Sequence, residues 1–141
     1  PELAGKLAAN IPTGITGTSG NVTITNGNLV YGTAGNGVTE KTAALAALGT
    51  IQGDAAAVVA RVSLVTGADT AKGVILPATP TAGDRYSIVN TVAATLKLYP
   101  GTGDTINATA ANTAVVLAAS VVTDCIAASA AAWWCSEGVA P

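Results

Sequence analysis

The sequence predicts a mainly β protein, a small antiparallel β-sandwich or barrel with one short helix and an extended N-terminal arm. Three observations predict it. Short runs rich in Val, Ile, Thr and Tyr recur along the chain, Gly, Pro, Asn and Asp punctuate them, and only one segment reads as a helix. The 141 residues suit one small domain. Residues 1–20 form the arm in this reading and residues 21–141 a single β-rich domain.

The arm carries Pro12, Gly14, Gly17 and Gly20. Its Leu3, Leu7, Ile11 and Ile15 recur every four residues, yet the proline and glycines oppose a helix through its second half. A segment this short cannot bury its own apolar residues, so those four are expected to face a partner. Next, Asn21–Thr25 and Asn28–Tyr31 flank Asn26-Gly27, a strong hairpin signal. A two-residue turn sets Ile24 opposite Leu29 and Val22 opposite Tyr31, so the large residues share one face.

After a Gly-rich loop, Thr39–Gly49 predicts the one short helix. Thr39 can cap it, Glu40 suits its positive end and Gly49 can stop it. Val58, Ala60, Val62 and Leu64 then alternate with Val59, Arg61, Ser63 and Val65, which predicts a strand. The preceding Ala55-Ala56-Ala57 keeps a helix open as the alternative. Further strands are expected at Gly73–Leu76, Arg85–Asn90, Thr95–Tyr99, Thr113–Leu117, Ser120–Ala127 and Ala132–Ser136.

Composition excludes several function classes. Half the residues are apolar by type and the mean hydropathy is +0.51, but 30 of them are Ala. No run is long and apolar enough for a membrane span, since Asn107, Asn112 and several Thr interrupt the longest uncharged stretch. Six Lys and Arg at net charge −2 make no basic stripe, so neither nucleic acid nor membrane is expected as a partner. The N-terminus shows no basic region followed by an apolar run, so synthesis in the cytoplasm without export is expected.

The candidate catalytic motifs read as ordinary turns. Gly32 and Gly37 stand at phosphate-loop spacing, but Val38 occupies the position that needs a Lys. Asp54, Asp84 and Asp104 each follow a Gly, and Asp69 sits in Thr66-Gly67-Ala68-Asp69, all of which is turn chemistry. With no His, the Ser-His and Cys-His nucleophile pairs and His-containing zinc sites are excluded. Asn21-Val22-Thr23 and Asn107-Ala108-Thr109 match a glycosylation pattern that is incidental without a secretory route. No enzyme activity, cofactor or metal is expected.

Cys125 and Cys135 carry a geometric expectation. A hairpin centred near Ala130 sets them directly across the ladder, with Ala127 opposite Trp133. A disulfide is possible there if the pair is non-hydrogen-bonded, but without export free thiols are the favoured state. Adjacent Trp133 and Trp134 must point to opposite faces of a strand. One anchors the core, while the other, taken as Trp134, meets solvent, a neighbouring subunit or a partner.

A resemblance runs through the C-terminal half. Lys72–Pro77, Gly83–Asn90, Leu96–Asn107 and Ala132-Trp133-Trp134 together resemble a recurring β-rich module of tailed-bacteriophage structural proteins. The small size and the Ala-, Gly- and Thr-rich composition are similar to those of capsid decoration (cement) proteins. That resemblance implies a virion protein on the outer surface of the capsid, with the major capsid protein as partner. It further implies self-association as a homotrimer, in line with 33 larger aliphatics that would leave apolar area bare on a monomer. The alternative is a tail-fibre or head-fibre module recognising a host-surface glycan. Leu3, Leu7, Ile11, Ile15 and Trp134 are the expected partner-binding residues.

Overall fold

The computed structural model describes residues 42–136, all within the compact unit Thr39–Pro141. The arm, the Asn26-Gly27 hairpin and the Gly32–Gly37 loop lie outside the described residues. The described chain is mainly β, in ten strands. These are β1 (Thr42–Ala46), β2 (Ala56–Ala57), β3 (Val62–Thr66), β4 (Gly73–Ile75), β5 (Arg85–Asn90), β6 (Leu96–Tyr99), β7 (Thr105–Ile106), β8 (Val115–Leu117), β9 (Val122–Ser129) and β10 (Ala132–Cys135).

The chain steps from one sheet to the other at almost every strand. A six-stranded sheet has the order β1-β3-β5-β9-β10-β7, and a four-stranded sheet the order β2-β4-β6-β8. Parallel pairing stacks one coil on the next: Thr42 on Val62, Val62 on Ser87, and in the second sheet Ala56 on Val74 and Val74 on Leu98. This is a β-solenoid, not the expected antiparallel sandwich or barrel. The turn signals between strands were present, but corners that lead to the opposite sheet use the same Gly, Pro and Asp residues as hairpin turns. Between the named strands, antiparallel pairing enters at β5–β9, β9–β10 and β6–β8, and an isolated antiparallel bridge joins Leu48 to Gly73.

The segment expected to be a helix is strand β1. Helix propensity is a weak prior, and an isolated helix of this length is marginal in water. Pairing Thr42–Ala46 with β3 supplies its hydrogen bonds from a neighbour instead. The alternation then places Leu45 against the core while Thr42, Ala44 and Ala46 face out. Gly49, expected as a helix stop, takes φ +66° in the turn that follows. A Cβ there would collide with the Asp54 backbone, so only glycine fits. The one helical turn among the described residues is the 3-10 segment Gln52–Asp54.

The strand expected through Val58–Val65 breaks at a corner. Val58 and Ala60 are buried, but inside β3 the inward residues are Ser63 and Val65. The inward set shifts from even to odd positions because residues 58–61 turn the chain between sheets. At the next corner the buried Asn90 secures the turn. Its Nδ2 donates to the carbonyls of Ala94 at 2.7 Å and Ala118 at 2.8 Å, and its Oδ1 accepts from the Val92 N–H.

One apolar cluster fills the space between the sheets, drawing Val65, Ile88, Ile106, Cys125 and Trp133 from one and Val74, Leu96, Leu98 and Leu117 from the other. The closing hairpin has the expected register: Cys125 faces Cys135 and Ala127 faces Trp133. The cysteines, expected as free thiols, are joined in a disulfide with Cα atoms 4.0 Å apart. The Ser136 N–H donates to the Asp124 carbonyl beside them, which makes the cysteines a non-hydrogen-bonded pair with the close approach a disulfide needs. The expectation of thiols rests on compartment alone, whereas the ladder geometry places the sulfurs in bonding reach.

Candidate functional site

The two tryptophans diverge as the pleat requires. Trp133 is completely buried, edge-on to Tyr86 at 5.7 Å, and the Arg61 guanidinium lies 4.7 Å above the Tyr86 ring. Trp134 is 54% exposed on the outer face of the six-stranded sheet. Of the expected partner-binding residues it is the one within the described chain; Leu3, Leu7, Ile11 and Ile15 lie outside it.

Strand pairing orders that outer face into rows. Ala44, Leu64, Val89 and Val122 face one another across β1, β3, β5 and β9. Leu64 is 36% and Val122 52% exposed, so the row is an apolar stripe open to solvent. The next row is Thr42, Val62, Ser87 and Asp124, and a third holds Arg85, Ile126 and Trp134. Between the second and third rows lies a hollow of about 270 Å3 over the β5–β9 ladder, lined by Arg85, Tyr86, Ser87, Asp124, Cys125 and Ile126. Tyr86 and Cys125 turn their side chains to the core, so Arg85, Ser87, Asp124 and Ile126 form its walls.

The hollow presents both signs of hydrogen-bonding capacity. The Ser87 hydroxyl donates to Asp124 Oδ1. The Ser136 hydroxyl receives the Asp124 backbone N–H at 3.0 Å. The Arg85 side chain makes no hydrogen bond or ion pair among the described residues, unlike Arg61, which is committed to Asp84 at 2.9 Å and to the Arg85 carbonyl at 3.0 Å. This grouping escaped the sequence reading because Asp124 lies 37 residues from Ser87 along the chain. Only the long-range register of β5 on β9 brings Arg85, Ser87 and Asp124 together.

The aspartates divide by environment. Asp69 accepts the backbone N–H groups of Ala71 and Lys72, both at 2.9 Å, which holds its carboxyl below the usual range. Asp84 is lowered likewise, by the Thr81 N–H at 3.0 Å and then by Arg61. Both perform turn duty, as the sequence predicts. Asp104 departs from that pattern, for it is buried beside the Trp133 indole and the Gly101 backbone. Burial pushes its carboxyl up, while the Trp133 and Thr79 N–H groups pull it down. Its Oδ2 and the indole N–H nevertheless miss full hydrogen-bond geometry.

Asn107 is occupied by structure. Its amide donates to the Cys135 carbonyl at 2.9 Å and its Oδ1 accepts the Cys135 N–H at 2.7 Å, so the side chain extends β7 as a partner for β10. No group of three or more His, Cys, Asp or Glu with the arrangement of a metal site occurs among the described residues. No helix among them is long and apolar enough to cross a membrane. Comparison with known proteins yields no matching family model and no similar curated protein.

Proposed function

We propose that this chain is a structural protein of a tailed-bacteriophage virion, a decoration protein that binds the major capsid protein on the outside of the head and braces the shell as a homotrimer. The observation that carries the reading is the open apolar row Leu64, Val89 and Val122 on a broad sheet face, beside a core that is already closed without it. A lone monomer leaves that row in water, whereas self-association buries it, and many weak contacts repeated by symmetry brace a lattice through avidity. Leu3, Leu7, Ile11 and Ile15 supply the attachment to the shell in this reading.

Two measurements test it. Light scattering of the purified chain is expected to give a trimer mass at micromolar concentration; a monomer mass opposes the self-association. Added to empty heads, the full chain is expected to appear as regular density over the shell by cryo-electron microscopy, and a chain lacking Pro1 to Thr18 is expected to bind no longer. Density at the tail alone supports a tail-fibre role instead. Trp134, in one row with Ile126 and Arg85, favours that second reading, because it sets an exposed aromatic on the same sheet face as polar groups.

A further inference from the structure

We infer that the hollow between Arg85, Ser87 and Asp124, together with the exposed Trp134 one strand beyond it, binds a saccharide, with the sugar ring lying on the indole and its hydroxyls bonded to the carboxylate and the guanidinium. Such binding is distinct from attachment to a shell and does not depend on where on the particle the protein sits.

Pyranoses present apolar C–H faces and a rim of hydroxyls that both donate and accept. A site for them needs an exposed aromatic face, a fixed acceptor and a fixed donor within a few ångströms of one another. Trp134 is 54% exposed and shares a row with Ile126 and Arg85, so the indole stands one strand beyond the wall of the hollow. Ser87 engages one oxygen of Asp124, which fixes the carboxylate and leaves Oδ2 as an acceptor without a partner among the described residues. The Arg85 side chain, equally without a partner there, is the donor.

Charge selects among possible ligands. The carboxylate of Asp124 lines the hollow opposite Ser87 and repels a phosphate or nucleic-acid backbone. A neutral ring with neighbouring hydroxyls satisfies donor and acceptor together. The floor is rigid, because Tyr86 beneath it packs edge-on to Trp133 and Cys125 is tied to Cys135 by the disulfide. The groups are thus held in place before the ligand arrives.

The chain has only two tryptophans, and one is buried, so each binding experiment carries its own control. The full-length protein, labelled with nitrogen-15, is titrated with maltose, lactose, cellobiose and sialyllactose in turn, and the two indole N–H signals are followed by NMR. The expected result is a saturable shift of the Trp134 signal with at least one sugar, at a dissociation constant of about 10 mM or tighter, while the Trp133 signal stays in place. Trp134→Ala and Asp124→Ala are expected to abolish binding, with Trp133 unmoved in both. The first is read at the backbone amides of Arg85 and Ser87, the second at the Trp134 indole. Arg85→Lys is expected to weaken binding several-fold. Absence of a saturable Trp134 shift with all four sugars overturns the inference, and so does binding retained by both alanine variants.

Discussion

Asp84 and Asp104 respond to acid in opposite senses, because one carboxylate is held by donors and the other is buried. Asp84 has a native pKa below the ordinary value of 3.8, so its stabilisation is present above that value and is lost as pH falls through the native pKa. Asp84→Asn is expected to cost about 1 kcal/mol near neutral pH, discounted for partial exposure, with the loss shrinking in acid. The native pKa of Asp104 is raised, so its favourable contribution is complete below 3.8 and is lost as pH rises through the native value. Asp104→Asn is therefore expected to gain on the wild type as the pH is taken from about 3 to about 7. Urea unfolding across that range checks both, and parallel curves for variant and wild type contradict the assignments. Gly49 is a backbone matter: with φ +66° and the Asp54 backbone in the way of any added Cβ, Gly49→Ala is expected to destabilise. The cost is about 2 kcal/mol or more by the same measurement.

Strand β1 and the closing hairpin show how pairing overrides local preference. In β1, Ala44 is exposed and faces Leu64 across the ladder. Ala44→Val is expected to stabilise by a few tenths of a kcal/mol up to about 1, since a β-branched residue suits the pleat and meets an apolar neighbour. A helix over the same residues gives the opposite sign, so a thermal melt discriminates. In the hairpin, Cys125 and Cys135 are ten residues apart. Closing so short a loop restrains the unfolded chain by about 2–3 kcal/mol, and the Cys125→Ala/Cys135→Ala double variant is expected to lose about that much without losing its fold. Retention of full stability after reduction contradicts that contribution.

At the scale of the described chain, the consequence of the solenoid is an outer sheet face whose rows run across strands distant in sequence. Leu64, Val89 and Val122 come from three strands and meet only through long-range register, Leu64 with Val89 by parallel stacking of coils and Val89 with Val122 by the antiparallel pairing of β9 on β5. If self-association covers that row, Leu64→Asp with Val122→Asp is expected to reduce a trimer to monomers while leaving Trp133 buried and the disulfide intact. Sedimentation equilibrium read beside tryptophan fluorescence separates loss of assembly from loss of fold. A double variant that still forms trimers places the contact elsewhere.

Local signals carried much of this. Arg85–Asn90 matches β5 residue for residue, and the hairpin register with Cys125 facing Cys135 followed from symmetry about Ala130. The opposed tryptophans followed from the pleat alone. In each case neighbouring residues hold all the information, as alternation, turn chemistry or spacing. The structure decided what depends on distant partners. Thr42–Ala46 became a strand because β3 accepted it, and Cys125 and Cys135 became a disulfide because the ladder brought their Cα atoms to 4.0 Å. The direction of each corner, and with it the hollow of Arg85, Ser87 and Asp124, was decided in the same way. A corner to the opposite sheet and a turn back along the same sheet use the same residues locally, and only the burial gained by stacking whole coils separates them.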